Sequence, residues 1–230
     1  MEAVKVIECP RDAMQGLKAI IPAPVKAAYI NQLLHVGFDT IDFGSFVSPK
    51  AIPQLADTAE VLKHLKLDDS PSKLLAIVAN LRGAQEAAAY DEISYLGFPF
   101  SVSETFQERN TNSTMKESLE RVQEIQKLCL KKKKELVIYI SMAFGNPYED
   151  KWSPAIVKKW VKKMAEMGIP IIALSDTTGV SEAESIDGLF TTLIPEFPDV
   201  EFGAHLHTTP GKWEEKVDAA WHAGCRRFDS

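Results

Sequence analysis

Eight short apolar runs recur along the chain, each parted from the next by a longer amphipathic segment: Val4–Cys9, Thr40–Ser45, Leu74–Ala79, Ile93–Pro99, Leu136–Met142, Ile171–Ser175, Val200–His207 and Arg226 to the end. Strict alternation of this kind implies parallel strands covered by helices. A glycine joins helix to strand at Gly37, Gly168 and Gly224, where a left-handed helix cap would turn the chain. Helix starts are marked by Ser153-Pro154 and Thr209-Pro210, and Ser181 with Glu184 fits a capping box. Eight such units in 230 residues predict an α/β fold of the (β/α)8 TIM-barrel type, with residues 1–230 forming one domain. An open doubly wound sheet is the weaker alternative, because Cys9-Pro10-Arg11-Asp12 after the first strand is no glycine-rich phosphate turn. The pattern lacks a final helix after the eighth strand, so the seam between the first and eighth strands is expected to lie bare. Either a longer parent chain or a partner would cover it, and a homodimer is the expected assembly.

Composition narrows the function classes. With 45% hydrophobic and 25% charged residues, the chain can bury a large core. A net charge of -6 and a pI near 5.5 argue against a nucleic-acid surface. No run is long and apolar enough for a membrane span. Cys9, Cys129 and Cys225 form no metal spacing and an odd count, which points to a reducing compartment, the cytoplasm.

In a barrel the active site gathers at the C-terminal strand ends. Those ends carry Arg11 and Asp12, Asp42 and Ser45, Asn80, Ser141, Asp176 and Thr177, and finally His205 and His207. The two histidines sit i, i+2 at a strand end and so face one side. With Asp12 they make a mixed oxygen and nitrogen set suited to a divalent ion such as Mg or Mn, with positions open to substrate. Taken alone, the histidine pair would equally suit hydrogen-bonded core residues; Arg11-Asp12 favours the metal. Arg11 is expected to neutralise a substrate carboxylate or stabilise an oxyanion. Asp42 or Asp176 is expected to act as general base or hold a substrate hydroxyl. Lys131–Lys134 reads as a solvated helix end, and Trp152, Trp160, Trp213 and Trp221 read as packing residues at helical positions.

Several motifs resemble the hydroxymethylglutaryl-CoA lyase family. They are Pro10-Arg11-Asp12 with Gln15, Ser45-Phe46-Val47-Ser48-Pro49-Lys50 followed by Pro53-Gln54, Asn80-Leu81-Arg82-Gly83, Asn146-Pro147-Tyr148-Glu149, Ser175-Asp176-Thr177-Thr178-Gly179-Val180 and the histidine pair. The resemblance runs through the whole chain in order. It implies a metal-dependent barrel that performs retro-Claisen cleavage of an acyl-CoA substrate, 3-hydroxy-3-methylglutaryl-CoA, to acetyl-CoA and acetoacetate. It further implies Asp12, His205 and His207 as metal ligands, with His205 also in the catalytic set. Arg11 would stabilise the departing enolate, and Gln15, Asp42, Ser45, Ser141, Asp176 and Thr177 would surround the substrate.

This chain departs from the family pattern in several places. Ala13 follows the aspartate where glycine is usual, Asp42 stands where glutamate is typical, and Thr208-Thr209-Pro210 follow His207 in place of Asp-Thr-Tyr. The family's glycine-rich loop with its catalytic cysteine, and an asparagine ligand, would fall beyond the eighth strand. Residues 1–230 by themselves are therefore expected to bind metal weakly and turn over poorly. Related condensing or carboxyl-transfer enzymes, and a non-catalytic barrel subunit, are the alternatives.

Overall fold

The computed structural model describes residues 3–230. Eight parallel strands, β1 (Lys5–Glu8), β2 (Thr40–Ser45), β3 (Lys73–Ile77), β4 (Ile93–Ser101), β5 (Glu135–Ser141), β6 (Ile171–Asp176), β7 (Glu201–Leu206) and β8 (Arg227–Asp229), pair in sequence order. Pairing of β1 with β8, Lys5 opposite Arg227 and Ile7 opposite Asp229, closes the barrel. Nine helices are described: α1 (Pro10–Gln15), α2 (Ala23–Leu33), α3 (Thr58–Lys63), α4 (Leu81–Ala87), α5 (Glu104–Thr111), α6 (Met115–Lys132), α7 (Pro154–Glu166), α8 (Ala183–Glu196) and α9 (Trp213–His222). Among the described residues no helix is long and apolar enough to cross a membrane.

All eight expected strands form, because a strand covered on its outer face by helices carries a mostly apolar run, and that signal is local. The three junction glycines adopt positive φ, 96° at Gly37, 73° at Gly168 and 98° at Gly224. Ser153 caps α7 by accepting the Ile156 amide, with Pro154 in the first turn. Two expected helix starts are corrected. The segment after Thr209-Pro210 stays non-helical until Trp213, and the helix after Ser181 is boxed by Glu182 and Ser185 instead. Ser181 is diverted because its hydroxyl donates to Asp176, five residues earlier at the end of β6, a local bond that competes with the cap. Of the lysine run, Lys131 and Lys132 complete the last turn of α6, Lys133 is its left-handed cap, and Lys134 donates to the Tyr90 and Asp91 carbonyls. Trp152 precedes α7 rather than lying in it, and its indole donates to the Ala143 carbonyl.

The sheet separates two apolar clusters. The larger one fills the space between strands and helices. The smaller, Leu75, Ile77, Tyr95, Val137, Tyr139, Ile171 and Ala173, fills the barrel interior along β3 to β6. On the other half of the interior the inward positions are polar. Asp42 of β2 pairs with Arg11, Arg227 of β8 pairs with Glu201, and Asp229 of β8 faces the His205 imidazole of β7. Arg227 floors the barrel, 1% exposed, with Glu201 at 3.2 Å, and Gly203 makes room for it. At the seam expected to lie bare, Val4 and Val6 are 41% and 36% exposed.

Candidate active site

The Pro10-Arg11-Asp12 motif folds into α1, a short helix at the top of β1. Helical spacing brings Gln15 back over both acidic and basic neighbours: the Gln15 amide donates to Asp12 Oδ1 at 2.6 Å, and Arg11 Nη1 donates to Gln15 Oε1 at 3.1 Å. Arg11 lies buried beneath, with Nη1 also on Asp12 Oδ1 at 2.8 Å and Nε on Asp42 Oδ2 at 2.9 Å. The Asp42 carboxylate therefore grips one edge of the guanidinium and fixes its plane.

Asp12 turns its other oxygen toward the end of β7. Oδ2 lies 3.9 Å from His205 Nε2 and 3.7 Å from His207 Nε2. One ligand atom from each residue falls within 4.8 Å of the others, spacing that one small ion at about 2.1 Å from each could bridge. Both rings are held through Nδ1: His207 donates to the Thr177 carbonyl at 2.9 Å, and His205 meets Asp229 Oδ2 at 2.8 Å. That leaves both Nε2 lone pairs facing Asp12, so the donor set fits a divalent ion. Tyr139 packs edge-on against His205, with centroids 5.5 Å apart.

These groups open onto a cavity of about 330 Å³ at the C-terminal mouth, lined by Arg11, Asp12, Gln15, Ser141, Thr177, His205 and His207 together with apolar Val47, Ile77, Pro99 and Phe106. The approach of His207 at 3.7 Å and the nearby Arg11 hold the Asp12 carboxyl well below the usual range, against the opposing effect of burial. The neighbouring Asp12 carboxylate in turn raises His207 above an ordinary histidine, burial opposing. Asp42 behaves in the opposite sense: burial, only partly offset by Arg11, pushes it up to about 6. Arg11 is kept protonated, since Asp42 outweighs the effect of burial.

Four residues expected at strand ends are placed outside the cavity, one of them Asn80, whose side chain caps α4 by accepting the Gly83 amide. Asp42 is fully buried behind Arg11, without access to a substrate. Asp176, expected as a base or a hydroxyl acceptor, has both oxygens committed: Oδ1 accepts the Val180 amide, and Oδ2 accepts from the Ser181 amide and hydroxyl and from Lys216. Ser45 turns its hydroxyl to the Ile77 carbonyl and the Val47 amide, which shapes the loop after β2.

Two supporting residues were missed from sequence. Lys216, 5% exposed on α9, donates to Asp176, to Gly179 O at 3.1 Å and to His207 O at 3.3 Å. A lysine amid a charged helix gives no local sign of burial. Asp229 was also missed, although its parity with Arg227 across Phe228 could have placed it on the inner face of the barrel. Thr177 does more than line the cavity: its hydroxyl accepts the amide of Met142, a residue held at φ 59° directly after β5. None of the three buried cysteines lines the cavity.

The HMGL-like family model matches residues 4–230. The mitochondrial hydroxymethylglutaryl-CoA lyase of Mus musculus is 36% identical over 230 residues, which is 99% of this chain and 70% of that protein. The cytoplasmic 3-hydroxy-3-methylglutaryl-CoA lyase of the same species is 33% identical over 232 residues, covering 100% of this chain and 66% of that one. Among solved structures, an HMG-CoA lyase from Acinetobacter baumannii in complex with coenzyme A and 3-methylmalate gives a TM-score of 0.92 at 31% identity, covering 99% of this chain and 74% of that chain.

Proposed function

The chain belongs to the HMGL-like family, and on that premise we propose that it is a carbon-carbon lyase that cleaves 3-hydroxy-3-methylglutaryl-CoA to acetyl-CoA and acetoacetate. The observation that carries this reading is the convergence of Asp12, His205 and His207 beside an arginine whose plane is locked by a buried carboxylate. Mg or Mn suits the oxygen and nitrogen donors; bound there, it would lower the pKa of a substrate alcohol and hold the adjacent carboxylate oxygen.

The residues then divide the work. Arg11 lines the cavity with its guanidinium plane fixed by Asp42, so its positive charge is held beside the thioester oxygen as that oxygen gains enolate charge. Electrostatic aid of this kind needs no reorganisation during bond cleavage. Gln15 fixes the Asp12 carboxylate, and Ser141 and Thr177 offer polar contacts to the acyl chain at the opposite wall. Buried Asp42 and fully engaged Asp176 do not reach the cavity, and the histidine Nε2 lone pairs would be given to the ion, so the hydroxyl proton would pass to an Asp12 oxygen or to water. Val47, Ile77, Pro99 and Phe106 give the methyl and methylene groups an apolar wall that limits water near the enolate. A cytoplasmic address agrees with three unpaired, buried thiols.

The test is an assay of the chain with 3-hydroxy-3-methylglutaryl-CoA and Mn2+. Release of acetoacetate and acetyl-CoA in equal amounts, abolished by chelation, supports the proposal. Condensation of a 2-oxo acid with acetyl-CoA in place of cleavage would move the chain to the condensing branch. Metal binding with neither reaction, in a longer chain that carries the family's loop after the eighth strand, would make it a non-catalytic subunit.

A further inference from the structure

The two candidate histidine ligands are held by different chemistry. His207 donates through Nδ1 to a backbone carbonyl, which can accept but never donate. His205 Nδ1 faces Asp229 Oδ2 at 2.8 Å, a side chain 3% exposed and drawn from the inner face of β8. The other Asp229 oxygen, Oδ1, is buried without a partner. A carboxylate in that position accepts only, so it selects the ring form that carries its hydrogen on Nδ1.

We propose that Asp229 is a positioning residue for the site: it fixes His205 in the Nδ1–H form and aims the Nε2 lone pair at the point shared with Asp12 and His207. This rests on the reading that these three residues hold a divalent ion. Three observations support it independently of any ion. First, register places Asp229 opposite Ile7 on β1, inside the closed barrel, so the carboxylate cannot swing to solvent. Second, Tyr139 packs edge-on against the imidazole, so ring rotation is confined and the Nδ1 contact sets the remaining freedom. Third, a buried carboxylate oxygen left without a partner carries a desolvation cost that a purely packing role would not require. The arrangement is that of a carboxylate supporting a ligand histidine, whose loss in metal sites weakens binding about 10–100-fold.

Asp229→Asn is the discriminating variant. It preserves shape, but its amide can rotate to donate to Nδ1 and so favour the opposite form, in which Nε2 carries the hydrogen and cannot ligate. Long-range 1H–15N spectra of the metal-free chain, taken above the pH at which histidines titrate, report the hydrogen position directly. The His205 signal is identified by its loss in His205→Ala. The expected result is Nδ1–H in the parent chain, a shift toward Nε2–H in Asp229→Asn, and Mn2+ affinity lower by about 10–100-fold. An Nε2–H signal for His205 in the parent chain would overturn the proposal, as would an Asp229→Asn chain with unchanged spectra and unchanged affinity. If the variant fails to fold, the parent spectrum alone decides. Because these readouts need no substrate, absence of lyase turnover with His205 in the Nδ1–H form would refute the reaction while leaving the role of Asp229 intact.

Discussion

Lys216 lies beneath the turn after β6 with its ammonium 2.7 Å from Asp176 Oδ2, the two side chains 6% and 1% exposed. The same ammonium reaches the carbonyls of Gly179 and His207, so one buried pair ties the β6 turn, the end of β7 and α9 together. That turn also carries Thr177, whose carbonyl holds the His207 ring.

Replacing Lys216 by Met strands the Asp176 charge inside the protein. A loss of about 3–5 kcal/mol is expected, because breaking a buried pair leaves an uncompensated ion. Adding Asp176→Asn should recover part of the loss. Urea denaturation of the two single variants and the double variant gives the coupling, and strict additivity would contradict the clamp.

Mn2+ should stabilise the chain, since an ion bound only by the native state contributes about 2.7 kcal/mol at a concentration 100-fold above Kd. Thermal denaturation with and without Mn2+ measures this, and Asp12→Ala or His207→Ala should remove the rise in Tm. Binding must also displace protons. His207 is raised above the ordinary value of 6.5 by Asp12, so affinity should begin to fall on acidification at a pH higher than for a free histidine.

Asp42 gives stability an unusual pH slope. Its folded pKa, about 6 through burial, lies above the unfolded value of 3.8, so between these values the native state binds more protons than the unfolded chain. This contribution is fully present below the unfolded pKa and is lost as pH rises through about 6. The slope is at most about 1.4 kcal/mol per pH unit, and it should be absent in Asp42→Asn. Urea midpoints of both chains from pH 4 to 7 test it (about three units spanning the window), and parallel profiles would show that Asp42 titrates normally.

Arg11→Lys keeps the charge but loses the fork that Asp42 grips. Turnover should fall by about 10²–10³-fold, the cost of a misplaced oxyanion donor. Steady-state kinetics on 3-hydroxy-3-methylglutaryl-CoA would measure it, with KM shifting much less than kcat. Near-wild-type turnover would mean that charge alone suffices.

Gly83→Ala should be costly, although it lies in a helix where alanine is normally favoured. A Cβ at Gly83 would sit 2.4 Å from the Phe46 carbonyl oxygen, so α4 and the loop after β2 would have to part. Overpacking of this kind costs about 1–3 kcal/mol. A drop in Tm of several degrees is expected, and no change would show that the loop yields freely.

The barrel was legible because its information is local and repeated. Each strand announces itself by an apolar run, and each of Gly37, Gly168 and Gly224 marks a turn needing positive φ. Arg11, Asp12, Ser141, Thr177, His205 and His207 were found by asking what stands at strand ends, Gln15 by the family resemblance, and all of them reach one cavity. The helix starts at Thr209-Pro210 and Ser181 were misread; at Ser181 the hydroxyl is spent on Asp176, five residues earlier in the β6 turn.

Sequence by itself determined the order of the strands, the closure of eight βα units into a barrel and the set of polar residues delivered to its mouth, since period and strand parity act through nearest neighbours. Tertiary structure decided which carboxylates remain free to act. Asp12, Asp42, Asp176 and Asp229 look alike in the chain, yet one faces the cavity, one locks an arginine, one binds a lysine and one holds a histidine. What separates them is burial and long-range hydrogen bonding, which are fixed only when distant strands meet around a common axis.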